Sequence, residues 1–289
     1  MTTAVTAGPI RNGMSVDVED WFQVGAFETV LSRDDWAGCQ DRVARNGDAV
    51  LALFDRAGVK GTFFTLGCVA ARHPKLIARV VAEGHEIASH GWDHQRVFTF
   101  TPDQFRADLQ QARTAIEDAG GTAITGYRAP SFSIDPRTPW AHRVLAEEGY
   151  AYSSSVAPMR HDHYGWPDSP RHIWRPLADS PLVELPVTTA RIAGRTLAAG
   201  GGGFFRLLPY GFSHWAITRA NGREGRPAVF YFHPWEIDPK QPRVANAPLR
   251  SKLRHYSRLG AMEAKLERLL TDFEWGRTDT VVAAQAATL

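Results

Sequence analysis

Residues 59–90 read VKGTFFTLGCVAARHPKLIARVVAEGHEIASH, and the fold turns on how that stretch divides. VKGTFFTL has the length and composition of a strand. HPKLIARVVAEG puts Pro74 in a first helical turn, gathers Leu76, Ile77, Val80 and Val81 on one face, and meets a stop signal at Gly84. HEIASH then alternates polar and apolar residues, the period of a strand. A strand, a helix and a second strand at this spacing predict a parallel pair joined by a crossover helix.

The same alternation runs outward in both directions. MSVDV (14–18) reads as a first strand and GDAVLALFDRAG (47–58) as a helix closed by Gly58. TPDQFRADLQQARTAIEDAGG (101–121) is a helix with Thr101 as cap, Pro102 in the first turn, an apolar stripe of Phe105, Leu109, Ala112 and Ile116, and a Gly120-Gly121 ending. A short strand leads into GYRAPSFS (126–133), a helix lies around WAHRVLAEEG (140–149), and LVELPVTT (182–189) and PAVFYFHP (227–234) are later strands. The expectation is an α/β protein: a largely parallel sheet, closed into a barrel, with helices outside.

The bounds agree. With 289 residues, 44% hydrophobic and 22% charged, the chain suits a single globular catalytic domain, and a net charge of +2 carries no general signal for nucleic acid. MTTAVTAGPIRNG (1–13) lacks the apolar core of a signal peptide, and no run of 18 apolar residues occurs, so a cytoplasmic, non-spanning protein is expected. Cys39 and Cys68 are too few for a disulfide framework and are expected to be reduced and inert.

In such a fold, functional groups collect where strands end, because the loops from the carboxyl edge share one opening. Asp17, Glu19 and Asp20 end the first strand, His90 and His94 follow HEIAS, Arg128 ends its own strand, and His233 ends VFYF. Singly, each has an ordinary reading: solvated or capping carboxylates, a chance HxxxH, an ion-paired arginine, a hydrogen-bonded core histidine. Together they put a metal set on one rim. Gly91 disfavours a helix, so the HxxxH pair is placed on a loop; two imidazoles and one carboxylate are a usual donor set for catalytic zinc, with a coordination position left for water or substrate. A spare carboxylate then serves as base.

These segments carry a family resemblance. DVED, SHGWDH, GYRAPSFS and FYFHPWE, in this order and at these distances, resemble the motifs of the NodB-homology polysaccharide deacetylases, carbohydrate esterase family 4, over about residues 14–240. GGGFFRLLP, HPWEIDPKQPR and the C-terminal LRHYSR and EAKLERLL are similar to a narrower branch encoded with exosortase and exopolysaccharide gene clusters. The resemblance implies a distorted (β/α) barrel, with residues 1–13 as a tail, 14–289 as one domain and about 241–289 as a branch-specific extension. It implies a metal-dependent N-deacetylase acting on an N-acetylated hexosamine in an exopolysaccharide or cell-envelope glycan precursor, free or lipid-linked.

Carried over by position, Asp17 matches the general base, His90 and His94 the metal histidines, and His233 the general acid. Glu19 is the preferred third ligand to one divalent ion, zinc by preference, because alternation puts it on the Asp17 side of an extended strand; Asp20 is the competing ligand. Arg128 matches the residue that pairs with the base, and the Ser131 backbone N–H matches an oxyanion donor. Trp92, Tyr231 and Trp235 are expected to line the sugar site. One departure stands out. After GYAY the chain has Ser153-Ser154-Ser155 where the family pattern has an Asp that tunes the catalytic histidine, so either Glu184 or Glu236 replaces it or His233 is a weaker acid.

Three features stay open. GGGG (200–203) is either a close backbone approach to a ligand or a flexible loop, and Trp21 and Trp166 are either sugar platforms or core. Arg243, Arg250, Lys252, Arg254 and Arg258 are either a solvated face or a contact with a lipid phosphate or membrane surface. Two other functions compete: an allantoinase-like hydrolase of small amides, and a glycan-binding protein with weakened catalysis, for which Ser153 is the hint.

Overall fold

The structure, a computed structural model, describes residues 9–161, 164–286 and 289. Most of the expected tail, residues 1–8, lies outside the described residues.

The chain runs β1 (Asn12–Val18), α1 (Val43–Ala57), β2 (Thr62–Thr65), α2 (Gly67–Arg72), α3 (Pro74–Ala82), β3 (Glu86–Ser89), α4 (Pro102–Gly120), β4 (Gly126–Tyr127), α5 (Ala141–Glu147) and β5 (Tyr152–Ser153). There follow β6 (Val183–Glu184), β7 (Thr189–Ile192), β8 (Arg195–Ala198), α6 (Gly202–Leu207), α7 (Tyr210–Gly222), β9 (Val229–Phe232), α8 (Leu249–Tyr256), α9 (Met262–Asp272), β10 (Trp275–Gly276) and α10 (Thr278–Ala286).

β1 to β6 lie side by side in parallel, β9 flanks β1 on its other side, and β10 joins the start of β1. The sheet curls into a distorted (β/α) barrel. Its β6–β9 gap is closed by irregular backbone: Thr188 N–H donates to Val229 O, and Tyr231 N–H donates to Gly200 O. β1, β2 and β3 are buried on both faces, as strands between a barrel interior and a helical shell must be.

α4 shows why the local sequence folds as it does. Thr101 Oγ1 accepts from Gln104 N–H while the Gln104 side chain answers Thr101 N–H, Pro102 starts the helix, and the expected stripe of Phe105, Leu109, Ala112 and Ile116 is buried against the sheet. Such a capping box stabilises a helix by about 1 kcal/mol.

Three sequence expectations need adjustment. α1 starts at Val43, four residues before Gly47, because Asp20 caps it from another element. LVELPVTT is not one strand: Pro186 has no N–H to extend β6, and Thr189 instead opens the antiparallel β7–β8 hairpin. The four glycines are not a free loop, and the last of them, Gly203, lines the cavity at the strand ends. A Cβ on Gly201 would lie 1.8 Å from Tyr231 O, so the run lets backbone close on β9 and seal the barrel gap.

Candidate active site

The strand ends meet at a cavity of about 620 Å³ whose walls include Asp17, Glu19, His90, His94, Ser131 and His233. Its floor is set by β1. Asp17 and Glu19 both point into it, while Asp20 turns away and accepts from the backbone N–H groups of Trp21, Arg42 and Val43. Asp20, the competing candidate, instead caps the start of α1 and lies outside the Glu19, His90 and His94 group, and burial raises its carboxyl to about 6.

The HxxxH segment is a loop, as expected, pinned from two sides. Gly67 and Cys68 at the start of α2 donate to the carbonyls of Gly91 and Trp92, and Asp108 of α4 accepts from Trp92 N–H. Gly91 holds the left-handed φ of 76°, and a Cβ there would crowd Asp108 Oδ2 at 3.1 Å, so glycine suits the position between the histidines. His94 itself sits at φ 63°, a strained choice for a residue with a side chain. His90 Nδ1 meets Arg128 O at 2.8 Å; donating there leaves Nε2 as a free lone pair, the usual way an imidazole is fixed for a metal.

Donor atoms of Glu19, His90 and His94 all lie within 4.8 Å of one another. Glu19 Oε2 is 2.9 Å from His94 Nε2, yet among the described residues it is a buried oxygen with no aligned hydrogen-bond donor. Burial would raise this carboxyl, but His94, His233 and His90 outweigh it and hold Glu19 well below the usual carboxylate range. Two imidazoles and one carboxylate converge, with Glu19 Oε2 left without an aligned donor, which fits a divalent cation.

The base side is fully wired. Arg128, completely buried, donates from Nη1 to Asp17 Oδ1 at 2.6 Å and to Ser15 Oγ at 2.7 Å. The serine run holds it: Arg128 Nε and Nη2 donate to Ser154 O and Oγ, and Ala129 N–H donates to Ser155 Oγ. Ser131 reaches the cavity at φ 54°.

His233 faces this pair from β9. Its Nδ1 lies 3.1 Å from Glu236 Oε2 and its Nε2 3.4 Å from Glu19 Oε1. Burial opposes the charge, but Glu19 and Glu236 prevail and raise the imidazole to about 9. Glu236 in turn accepts from Arg206 Nε at 2.6 Å. The Arg206 guanidinium also donates to the carbonyls of Arg254, His255 and Ser257, at the C-terminal end of α8, where a cation is favoured. Glu236 therefore stands where the missing aspartate was sought. Glu184 does not: it accepts from Ser155 and Val156 N–H and meets His142 Nε2 at 3.0 Å.

Tyr231 and Trp235 line the cavity, and Trp235 does more, stacking between His233 and His255 with Nε1 donating to Glu19 Oε1. Trp92 does not reach the cavity; its ring packs against Gly67 and Ala112 between α2 and α4. Trp21 is buried beside Phe22, and Trp166, partly buried, packs on Trp174; neither lines the cavity. Arg206 and His255 escaped sequence reasoning: a buried arginine after FF and a histidine in a basic run look like surface residues.

Residues 30–152 match the polysaccharide deacetylase family and residues 154–283 a domain of unknown function (DUF3473). The first of these segments, which holds His90, His94 and Arg128, is the one that resembles the polysaccharide deacetylases. A chitooligosaccharide deacetylase of Bradyrhizobium sp. (strain ANU 289) is 30% identical over 163 residues, covering 56% of this chain and 64% of that protein. The peptidoglycan-N-acetylglucosamine deacetylase PgdA of Listeria monocytogenes is 33% identical over 86 residues, 30% of this chain and 18% of that protein. The chain thus spans less than two thirds of either relative. In fold it is similar to a Mycobacterium smegmatis crystal structure assigned to the polysaccharide deacetylases (22% identity, 98% of this chain, 95% of that one, TM-score 0.63) and to the Puue allantoinase (15% identity, 96% and 90%, TM-score 0.62).

Proposed function

We propose that the protein is a metal-dependent N-deacetylase that hydrolyses the acetamide of an N-acetylated hexosamine in an exopolysaccharide or cell-envelope glycan precursor. The observation that carries this reading is the unsatisfied convergence of Glu19, His90 and His94 between a paired Asp17 and a paired His233. The relatives named as deacetylases of N-acetylated glycans support the substrate class. A cavity of about 620 Å³ walled in part by Phe132, Tyr164, Phe204 and Tyr231 suits a sugar better than a small cyclic amide.

Glu19, His90 and His94 would hold the ion, zinc by preference because two imidazoles and one carboxylate are a usual donor set for it. When bound, it supplies Lewis acidity toward the acetyl carbonyl and makes water easier to deprotonate. Asp17, aimed by Arg128, takes the proton of the attacking water. Ser131, held in its left-handed turn, presents backbone N–H to the developing negative oxygen. His233 delivers a proton to the departing amine nitrogen, without which the C–N bond does not break, and Glu236 keeps that imidazole charged. Residues 14–289 would act as one domain, since β9 and β10 both pair with β1, and two free cysteines favour a reducing, cytoplasmic setting.

The test is acetate release from a panel of N-acetylated oligosaccharides, after chelation and with zinc restored. Zinc-dependent acetate from a glycan is expected. Turnover of small cyclic amides alone, or zinc retention with no acetate from any glycan, would move the reading to one of the two competing functions.

A further inference from the structure

Among the described residues, the exposed large apolar side chains other than terminal Leu289 all fall between positions 192 and 253: Ile192, Leu197, Leu207, Trp215, Leu249 and Leu253. Leu249 and Leu253 are the most exposed of all, at 73% and 58%, and stand four residues apart on α8, hence on one side of it. The inward side of the same helix is His255, buried and stacked on Trp235 at 4.1 Å. α8 thus turns leucine outward and imidazole inward, the reverse of a helix built to face water. Leu253 and Leu207 both line the catalytic cavity, so the apolar strip runs into it.

Charge follows the same boundary. From residue 239 to 262 the chain carries Lys240, Arg243, Arg250, Lys252, Arg254 and Arg258 and no carboxylate; from 185 to 223 it carries five arginines and again no carboxylate. Arg250 and Arg254 line the cavity beside Leu253. Arg206 fixes the whole helix at the cavity edge through the carbonyls at its C-terminal end. No described helix is long and apolar enough to cross a membrane, and an amphipathic surface of this kind needs none.

We propose that α8 with Leu207 is a docking surface for an anionic lipid bilayer, which sets the cavity edge against the membrane. The leucines enter the boundary between headgroups and acyl chains, and the arginines meet headgroup phosphates, each basic residue near such a surface strengthening binding by about fivefold. The inference goes beyond the deacetylase reading and does not depend on it, because it is judged by partition and not by turnover.

The experiment is flotation of the full chain with vesicles of phosphatidylcholine alone and of phosphatidylcholine mixed with phosphatidylglycerol. Binding to the mixed vesicles only is expected, weakening as salt shortens the reach of the charges. Leu249→Ser, at a site outside the cavity wall, should lower partition by about tenfold with an unchanged melting curve, as loss of one inserted leucine predicts. Equal binding to both vesicle types, no binding to either, or a Leu249→Ser protein that floats like the parent would overturn the proposal. So would retention on a soluble anionic polysaccharide without flotation, which assigns the cations to a glycan.

Discussion

At one corner of the cavity Glu19 Oε2 is buried without an aligned donor, and His90 and His94 turn toward the same point. At the other, His233 meets Glu236, Glu236 meets Arg206, and Arg206 ends on three backbone carbonyls. The first corner has an oxygen with no aligned donor among the described residues, the place the proposed ion would fill. The second is complete already and needs nothing but substrate. Buried polar groups are ordinarily satisfied, so a cluster left open in an otherwise saturated site marks where a ligand belongs.

The comparison breaks most readily at the open corner. His94→Ala should abolish stable metal loading and reduce acetate release to background, read by metal analysis and by turnover on one sample. If the variant kept both, the open corner would have no function. Next in size, Asp17→Asn and His233→Ala should each lower kcat by about 10² to 10⁴-fold while metal content stays near that of the parent, which separates proton transfer from binding.

Glu236→Gln sharpens the closed corner. With its carboxylate gone, His233 loses a partner that raises its pKa, so the acid form is lost at lower pH and the alkaline limb of kcat/KM should move down by about one pH unit or more. Arg206 is then left buried without its anion, and the melting temperature should fall by an amount reflecting about 3 kcal/mol or more. A variant that melts lower but keeps the parent pH profile would make Glu236 structural only. The smallest effect belongs to Asp20→Asn: metal content and kcat should not change, and stability should drop by about 1 kcal/mol, the cost of a weakened cap.

The open corner was legible in the sequence because its residues sit at strand ends in a short-range pattern. Asp17 and Glu19 follow from alternation along β1, and His90 and His94 from a single loop. Asp20 could not be told from Glu19 by spacing alone, since its role as a cap depends on α1 arriving from elsewhere in the chain. The closed corner was half legible. Glu236, three residues from His233, was within reach of sequence reasoning, whereas Arg206 reaches it over thirty residues of chain. Trp92 misled because adjacency to a motif says nothing about which way a ring points; Asp108 and α2 turn it outward. The core alternation of strands and helices was read correctly, but the start of α1, the short α2 and the break that Pro186 makes before the β7–β8 hairpin were not.

The most direct measurement is a zinc titration of the chelated protein, following acetate release and bound metal together on one N-acetylated oligosaccharide. Activity should rise linearly and stop at about one equivalent of zinc per chain, with the Glu19→Ala protein flat throughout. Full activity in the chelated protein, or saturation that persists in Glu19→Ala, would contradict the assignment of Glu19, His90 and His94 as the site where the chain is completed from outside.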